Sequence, residues 1–222
     1  MAVQLFFEYY TVSAACIVYI TMACLVIYSI FDVWSVILPK GRWNVLVLGV
    51  IILLAASIRL FWVQHGHQVF FDEFYHLDAA SNIVKHFRFF IHTNDLPNLS
   101  NSGTLPPYMP GFQTLLAVVF YIFEASAKNA FLLNVFLSTL TVAVFFSIGK
   151  TLQGKDRDGL ILAGILCIHP LHLQFSGCAN LEPASLLFNS VAVLAILIKS
   201  LTTLKTSRCA WHVHMLHNYP TM

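Results

Sequence analysis

Residues 45–63 read VLVLGVIILLAASIRLFWV, and residues 70–75, a few positions later, read FFDEFY. The first stretch is long enough to cross a bilayer, which takes about 20 mostly apolar residues. Its one charged residue is Arg59. The second stretch places two adjacent carboxylates, Asp72 and Glu73, just beyond the end of this span. The sequence therefore predicts a membrane helix that delivers two acids to one surface of the bilayer.

The composition of the whole chain agrees with a membrane protein. Of its 222 residues, 58% are hydrophobic and 10% are charged, whereas a soluble domain carries about 25% charged residues. This small number of charges cannot cover a water-facing surface. Most of the surface must therefore face lipid or other helices. The formal net charge of +2 gives no indication of nucleic-acid binding. The five cysteines form no C-x-x-C pair, which disfavours a disulfide framework or a zinc site.

Further apolar stretches extend the prediction to an all-α membrane protein with about five transmembrane helices. These stretches cover residues 11–38, 130–148, 160–175 and 183–198. The last two are short and share a bend around Pro170. The apolar stretch at 112–123 has only about a dozen residues, so it is predicted to be interfacial or re-entrant.

The segment at 72–90 has the periodicity of an amphipathic helix. Its apolar positions recur at steps of three and four residues, which predicts one apolar face. That face comprises Leu77, Ala80, Val84 and Phe87. Such a helix is expected to lie in the membrane surface just after the span at 45–63.

The basic residues predict how the chain crosses the membrane. They form three clusters between or after the predicted spans: Lys40 and Arg42; Lys150, Lys155 and Arg157; Lys199, Lys205 and Arg208. If residues 112–123 do not cross, all three clusters fall on one side, as the positive-inside bias expects. The loop at 65–128 and the short segment at 177–181 then face the opposite, lumenal or extracellular side.

Three acids on that opposite side, Asp72, Glu73 and Glu182, are the candidate catalytic residues. Carboxylates at a membrane boundary are costly to desolvate and often mark a function. A carboxylate there could accept a proton from a hydroxyl group. A structural interpretation stays open, with Asp72 as an N-cap and the two glutamates as first-turn acids favoured by the helix dipole. The topology places the acids on one face of the membrane without showing that they meet.

Histidines in the same loop raise a second hypothesis. His65, His67 and His76, with Asp72, could bind a divalent metal, but their spacing matches no zinc signature. Hydrogen bonding at the membrane surface is the favoured interpretation for this set, which also includes His86 and His92. The sequence therefore predicts no metal site and no cofactor.

The order of these motifs resembles the N-terminal part of the GT-C glycosyltransferases of the protein O-mannosyltransferase and aminoarabinose-transferase type. The resemblance spans about residues 45–199. It rests on these stretches: Phe71-Asp72-Glu73 with Tyr75, Pro106-Pro107-Tyr108-Met109-Pro110-Gly111-Phe112, Leu132-Leu133-Asn134, Leu140-Thr141-Val142, Gly149-Lys150, Pro170-Leu171-His172 and Glu182-Pro183.

This resemblance implies a multi-span helical bundle with interfacial helices in the first outer loop. It also implies a polyprenyl- or dolichyl-phosphate sugar donor and transfer, with inversion, to a hydroxyl of a glycan, lipid or protein acceptor. The reaction would take place at the extracytoplasmic or lumenal face of the plasma membrane or endoplasmic reticulum. The implied partners are thus membrane lipid, the donor and the acceptor, with no nucleic acid.

The resemblance also assigns roles to individual residues. Asp72 would activate or orient the acceptor, and Glu182 would be the second acid of the outer pocket, with Glu73 beside them as a third catalytic carboxylate. Tyr75 and His76 are expected to bind substrate. The family arginine before the Leu-Leu-Asn stretch is replaced by Phe131, so Lys128 is the expected cation near the donor phosphate.

Three segments follow from this comparison. Residues 1–44 are expected to add an N-terminal span and a cytosolic linker. Residues 45–200 would form the GT-C-like transmembrane module with its outer loop at 65–128, and residues 201–222 a tail or a truncated end. A non-catalytic membrane scaffold, an inactive truncated relic of such an enzyme and a small transporter are the alternatives that the sequence leaves open.

Overall fold

The computed structural model describes residues 39–66, 70–91 and 111–218, together with positions 13, 14, 17 and 21. The elements in this part of the chain are all helices, which confirms the all-α prediction. They are α1 (Arg42–Ser57, continued by a π-helical turn at Ile58–Trp62), α2 (Phe70–His86), α3 (Gly111–Phe123), α4 (Ala127–Gln153), α5 (Asp156–Ile168), α6 (Pro170–Ser176) and α7 (Glu182–Asn218).

Three of these helices are long and apolar enough to cross a bilayer, at Arg42–Trp62, Ala127–Gln153 and Glu182–Leu201. The pair α5 and α6 is bent by 58° and makes a fourth span if it is counted as one broken helix. This bend lies at His169, next to the predicted position. Most of the predicted span at 11–38 lies outside the described residues, which therefore supply three or four of the five predicted spans.

Two shorter helices, α2 and α3, lie between the spans α1 and α4, as predicted for the outer loop. The apolar helix α3 is too short to cross a bilayer, which agrees with the prediction that residues 112–123 are not a span. At the other end of the chain, α7 continues through residue 200 to Asn218, where a boundary was expected near residue 200.

The predicted inner face of α2 is half wrong. Ala80 is buried and Leu77 is partly buried, but Val84 is 36% and Phe87 54% exposed. The buried face instead carries Glu73, His76 and Asn82 among its apolar residues. Polar side chains turn inward here because other segments supply their hydrogen-bond partners, for example the carbonyl of Phe90 for Asn82 Nδ2 at 3.0 Å. The helix also ends earlier than predicted, at His86, because Phe87 adopts a positive φ of 53°.

One end of the bundle is held together around Asp156. Its Oδ2 accepts hydrogen bonds from the backbone N–H of Lys40 and from Asn44 Nδ2, the latter at 2.9 Å. Its Oδ1 lies 3.2 Å from Lys150 Nζ. Lys40 precedes α1 and Lys150 lies near the end of α4, so two of the three predicted basic clusters meet at one end of the bundle. This arrangement agrees with the topology predicted from the basic residues.

The helices α4 and α5 pack closely at two glycines. A Cβ added to Gly159 would lie 2.5 Å from the carbonyl oxygen of Phe146, and one added to Gly149 would lie 2.9 Å from the carbonyl oxygen of Asp158. Small residues let membrane helices approach this closely, and van der Waals packing then stabilises the pair.

Gly159→Ala is therefore expected to destabilise the protein by about 1–3 kcal/mol, because the added methyl group forces the two helices apart. Gly164→Ala is the matched control on the same helix, since a Cβ there meets nothing within 4 Å. Thermal unfolding of both variants in detergent checks this. Equal unfolding temperatures for the two would show that the close packing of α4 on α5 is not needed for stability.

Candidate functional site

The three predicted acids come together at the end of the bundle opposite Asp156. Asp72 and Glu73 lie in the first turn of α2, and Glu182 is the first residue of α7. The charges of Asp72 and Glu73 act on Glu182 although the two helices are remote in sequence. Glu73 is fully buried, Asp72 is half-buried and Glu182 is exposed. The sequence predicts these acids on one face of the membrane, and in the fold Asp72 and Glu73 lie within electrostatic reach of Glu182.

A short turn at residues 177–181 leads into Glu182 and is fixed from two sides. Asn134 Nδ2, from α4, donates to the carbonyls of Cys178 at 2.6 Å and Asn180 at 2.7 Å. The backbone N–H of Gly66, just after α1, donates to the carbonyl of Gly177 at 3.3 Å. Asn134 is fully buried, so these hydrogen bonds are shielded from water. The Leu-Leu-Asn stretch noted in the sequence therefore positions the start of α7.

Gly177 is required by this arrangement because the two segments touch through their backbones. A Cβ at Gly177 would lie 2.5 Å from the carbonyl oxygen of Gln64 and 2.7 Å from the Val63 side chain. No larger residue fits here without separating the segment after α1 from the turn before α7. The two acid-bearing helices α2 and α7 thus start from segments that are packed together.

His76 connects α2 to its surroundings. Its Nδ1 accepts a hydrogen bond from Gln113 Nε2 of α3 at 2.8 Å, and its ring meets Phe112 edge-on at 5.3 Å between centroids. Burial lowers the pKa of His76 to about 4, against the raising effects of the Asp72 and Glu73 charges and of a hydrogen bond with Asn180. His76 is therefore neutral at physiological pH. Its contacts with Gln113 and Phe112 join α2 to α3.

The stability of the protein is expected to depend on pH through His76. The unfolded chain takes up a proton near the ordinary pKa of 6.5, whereas folded His76 takes one up only near 4. The stabilisation is therefore complete above pH 6.5 and is lost as the pH falls towards 4, by roughly 1–3 kcal/mol. His76→Asn keeps an acceptor for Gln113, so its unfolding temperature should fall less over this pH range. Parallel curves for the two proteins would contradict the assignment.

The thiol of Cys178 is affected by two of the same acids. Burial, followed by the negative charges of Glu73 and Glu182, raises the pKa of its thiol to about 11. The thiol is therefore neutral at physiological pH, and it is not part of a disulfide. Cys178 is thus an uncharged neighbour of both glutamates.

The predicted substrate-binding residues occupy different environments. Tyr75 is half-buried and packs against the apolar core that α2 and α3 share with α4. Lys128 is exposed in the first turn of α4, with no hydrogen bond or ion pair to any residue that the structure describes. The ring of Phe131 lies 6.3 Å from that of His65. The roles predicted for Tyr75 and Lys128 stay predictions.

Some predicted features lie outside the described residues, namely His67, His92 and the proline-rich stretch at 106–110. Among the described residues, no group of three or more histidine, cysteine, aspartate or glutamate side chains could hold a metal ion. The metal hypothesis for His65, His67, Asp72 and His76 therefore gains no support from the described part of the set.

Sequence analysis missed a contact between Arg59 and His172. Arg59 is fully buried at the end of α1, and its Nη2 lies 2.7 Å from His172 Nδ1 on α6. Its Nη1 donates to the carbonyls of Ala55 at 2.9 Å and Cys167 at 3.4 Å. The sequence signal that could have found it is Arg59 itself, because placing an arginine inside an apolar span is energetically costly and often indicates a function.

The comparison with known families agrees with this arrangement. The family model for dolichyl-phosphate-mannose-protein mannosyltransferases matches residues 47–217, which is more than half of the chain. No curated protein and no solved structure matches the chain. The matched region runs from α1 almost to the end of α7 and contains all three acids, Arg59 and His172. The chain belongs to the dolichyl-phosphate-mannose-protein mannosyltransferase family, a family of membrane glycosyltransferases.

Proposed function

We propose that this protein moves mannose from dolichyl-phosphate-mannose to a hydroxyl group of a protein acceptor at the non-cytosolic face of the membrane. The observation that carries this proposal is the meeting of Asp72, Glu73 and Glu182 at one end of the bundle, in a chain of this family. The basic cluster at the opposite end supports the assignment of the acids to the non-cytosolic face.

Asp72 is the best candidate for the general base. It is half-buried, so a hydroxyl group can reach its carboxylate, whereas Glu73 beside it is fully buried. In the proposed step the acceptor hydroxyl transfers its proton to Asp72, and its oxygen forms a bond to the anomeric carbon of mannose. The bond between that carbon and the phosphate oxygen breaks, and dolichyl phosphate leaves with the electron pair. Attack from the side opposite the phosphate inverts the anomeric centre.

Glu182 and Glu73 take supporting parts in the proposal. Glu182 is exposed, so its carboxylate can accept hydrogen bonds from sugar or acceptor hydroxyls. Glu73 is fully buried on α2, and its charge acts on both His76 and Cys178. We assign Glu73 a positioning role, because a buried charge of this kind is retained only with defined partners around it.

The test of this function is transfer by the purified protein in liposomes. The liposomes contain radiolabelled dolichyl-phosphate-mannose, and the acceptor is a peptide rich in serine and threonine. We expect label in the peptide, and none when a nucleotide-linked mannose replaces the lipid-linked donor. A folded protein that transfers no sugar from any polyprenyl- or dolichyl-phosphate donor would contradict the proposal and favour a scaffold.

A further inference from the structure

A groove of about 570 Å³ lies between α5, α6 and α7. Most of its lining is apolar and includes Leu162, Ile165 and Leu171, and Ile165 and Leu171 are also strongly exposed on the helix surface. Glu182 lines the same groove. The groove therefore joins the side of the transmembrane bundle to one of the three site acids.

The groove also has a buried polar wall formed by His172. Only 6% of this side chain is exposed, and its Nε2 has no hydrogen-bond partner in the part of the chain that the structure describes. Arginine is always protonated, so Arg59 donates to His172 Nδ1 and the ring carries its own proton on Nε2. A buried N–H group without an acceptor is unfavourable, so His172 presents a donor that a ligand in the groove can satisfy.

Arg59 adds a positive charge directly behind this donor. Its guanidinium is fully buried and bonds only to backbone carbonyls and His172, with no carboxylate paired to it within the described segments. An uncompensated buried cation favours an anion nearby. The groove thus combines an apolar wall in the membrane with a hydrogen-bond donor and a positive charge at one place.

We propose that this groove binds an isoprenoid lipid phosphate, with the hydrocarbon chain along the α5 and α7 walls and the phosphate accepting the hydrogen bond from His172 Nε2. This assignment rests on the proposed function, because it places the donor lipid of that reaction. It also gives the site a cation, Arg59 of α1, in place of Lys128 and of the family arginine that Phe131 replaces. A sugar on the phosphate would then lie beside Glu182.

A second protein helix is the competing occupant of the groove. An apolar helix would cover Ile165 and Leu171 but would leave the His172 donor and the Arg59 charge without an acceptor. A soluble phosphate would satisfy these groups but would leave the apolar walls bare in the membrane. A lipid phosphate satisfies both parts of the groove, which is why we choose it.

The test uses a photoactivatable polyprenyl phosphate and the purified protein in liposomes, with no sugar transfer required. We expect unlabelled dolichyl phosphate to compete at least about 10-fold better than dolichol, and inorganic phosphate not to compete. His172→Phe keeps the ring but removes the donor, so the preference for dolichyl phosphate over dolichol should disappear. His172→Gln keeps an N–H donor and should retain the preference. Equal competition by dolichol and dolichyl phosphate in the wild-type protein would overturn the proposal.

Two tryptophan variants test the hydrocarbon part of the groove without touching buried polar groups. Ile165 lines the groove and is 56% exposed, whereas Ile161, on the same helix and 50% exposed, does not line it. Ile165→Trp should reduce photolabelling several-fold, and Ile161→Trp should leave it unchanged. Equal labelling of both variants would overturn the proposal. It would also be overturned if Ile165→Trp abolished self-association of the protein but left photolabelling intact, because the groove would then hold a helix.

The two proposals can fail separately. Asp72→Asn should bind the polyprenyl phosphate probe normally, since Asp72 is not part of this lining. If the wild-type protein transfers sugar but its binding of the probe does not depend on His172, the assignment of the groove is wrong and the proposed function stands. If the protein prefers dolichyl phosphate over dolichol as predicted but transfers no sugar, the proposed function is wrong and the assignment of the groove stands.

Discussion

Asp72→Asn should lower the rate of mannosyl transfer by about 10²–10⁴-fold, the usual contribution of a positioned general base. The asparagine amide has the same size as the carboxylate but cannot take up the proton of the acceptor hydroxyl. Because Asp72 is half-buried at the start of α2, the exchange should leave the fold intact. Initial rates of transfer from dolichyl-phosphate-mannose in liposomes give the measurement.

Asp78→Asn is the matched control for this experiment. Asp78 lies on the same helix and is also half-buried, and the proposed reaction assigns it no role. We expect its variant to transfer mannose at nearly the wild-type rate. If Asp72→Asn kept the wild-type rate in a folded protein, Asp72 would not be the base, and Glu73 or a group outside the described residues would have to replace it.

Glu182→Gln should lower kcat/KM by about 10–100-fold, which corresponds to the loss of one hydrogen bond to a charged group. Its carboxylate is exposed beside the groove and shares an electrostatic environment with Asp72 and Glu73. The unfolding temperature should change little, because an exposed first-turn residue has few contacts to lose. Glu124→Gln, another exposed glutamate on the loop side of the bundle, serves as the control with unchanged transfer.

A double variant separates a shared site from two independent ones. If Asp72 and Glu182 act on the same bound substrate, adding Glu182→Gln to Asp72→Asn should cost much less than it does in the wild-type protein. Fully additive losses would mean that the two acids affect transfer independently. That result would contradict the assignment of both to one site.

The helical architecture was predictable because lipid imposes a simple rule on length and polarity. The spans in α1, α4 and α7 follow from their apolar stretches, and the short α3 from its length. The bend next to Pro170 was also predicted, since proline disrupts the hydrogen bonds of a helix interior. These features depend on local sequence, so no knowledge of distant contacts was needed.

The inner face of α2 was not predictable in the same way. Apolar periodicity pointed to Val84 and Phe87, but the buried positions include Glu73, His76 and Asn82. These polar groups can be buried only because partners arrive from other segments, such as Gln113 for His76. Sequence patterns fail here because partners from distant segments allow polar groups to be buried that an isolated amphipathic helix would expose.

The contact between Arg59 and His172 shows the same limit. The two residues are 113 positions apart, and neither has a local pattern that names the other as its partner. Sequence reasoning instead expected the missing cation from Lys128, one helical turn before Phe131. A position along one helix was the available guide, whereas the proposed groove takes its cation, Arg59, from a different span.

The proposed topology places the acids on the non-cytosolic side of the membrane and the Asp156 cluster on the cytosolic side. Single cysteines at Ala125→Cys and Lys155→Cys test it directly in a cysteine-free background, because both positions are exposed and flank the two ends of α4. A membrane-impermeant thiol reagent added to intact cells, or to sealed microsomes of lumenal-side-out and cytosolic-side-out orientation, gives the readout. We predict labelling of position 125 from the non-cytosolic side and of position 155 only from the cytosolic side. The reverse pattern, or labelling of both positions from one side, would contradict the account.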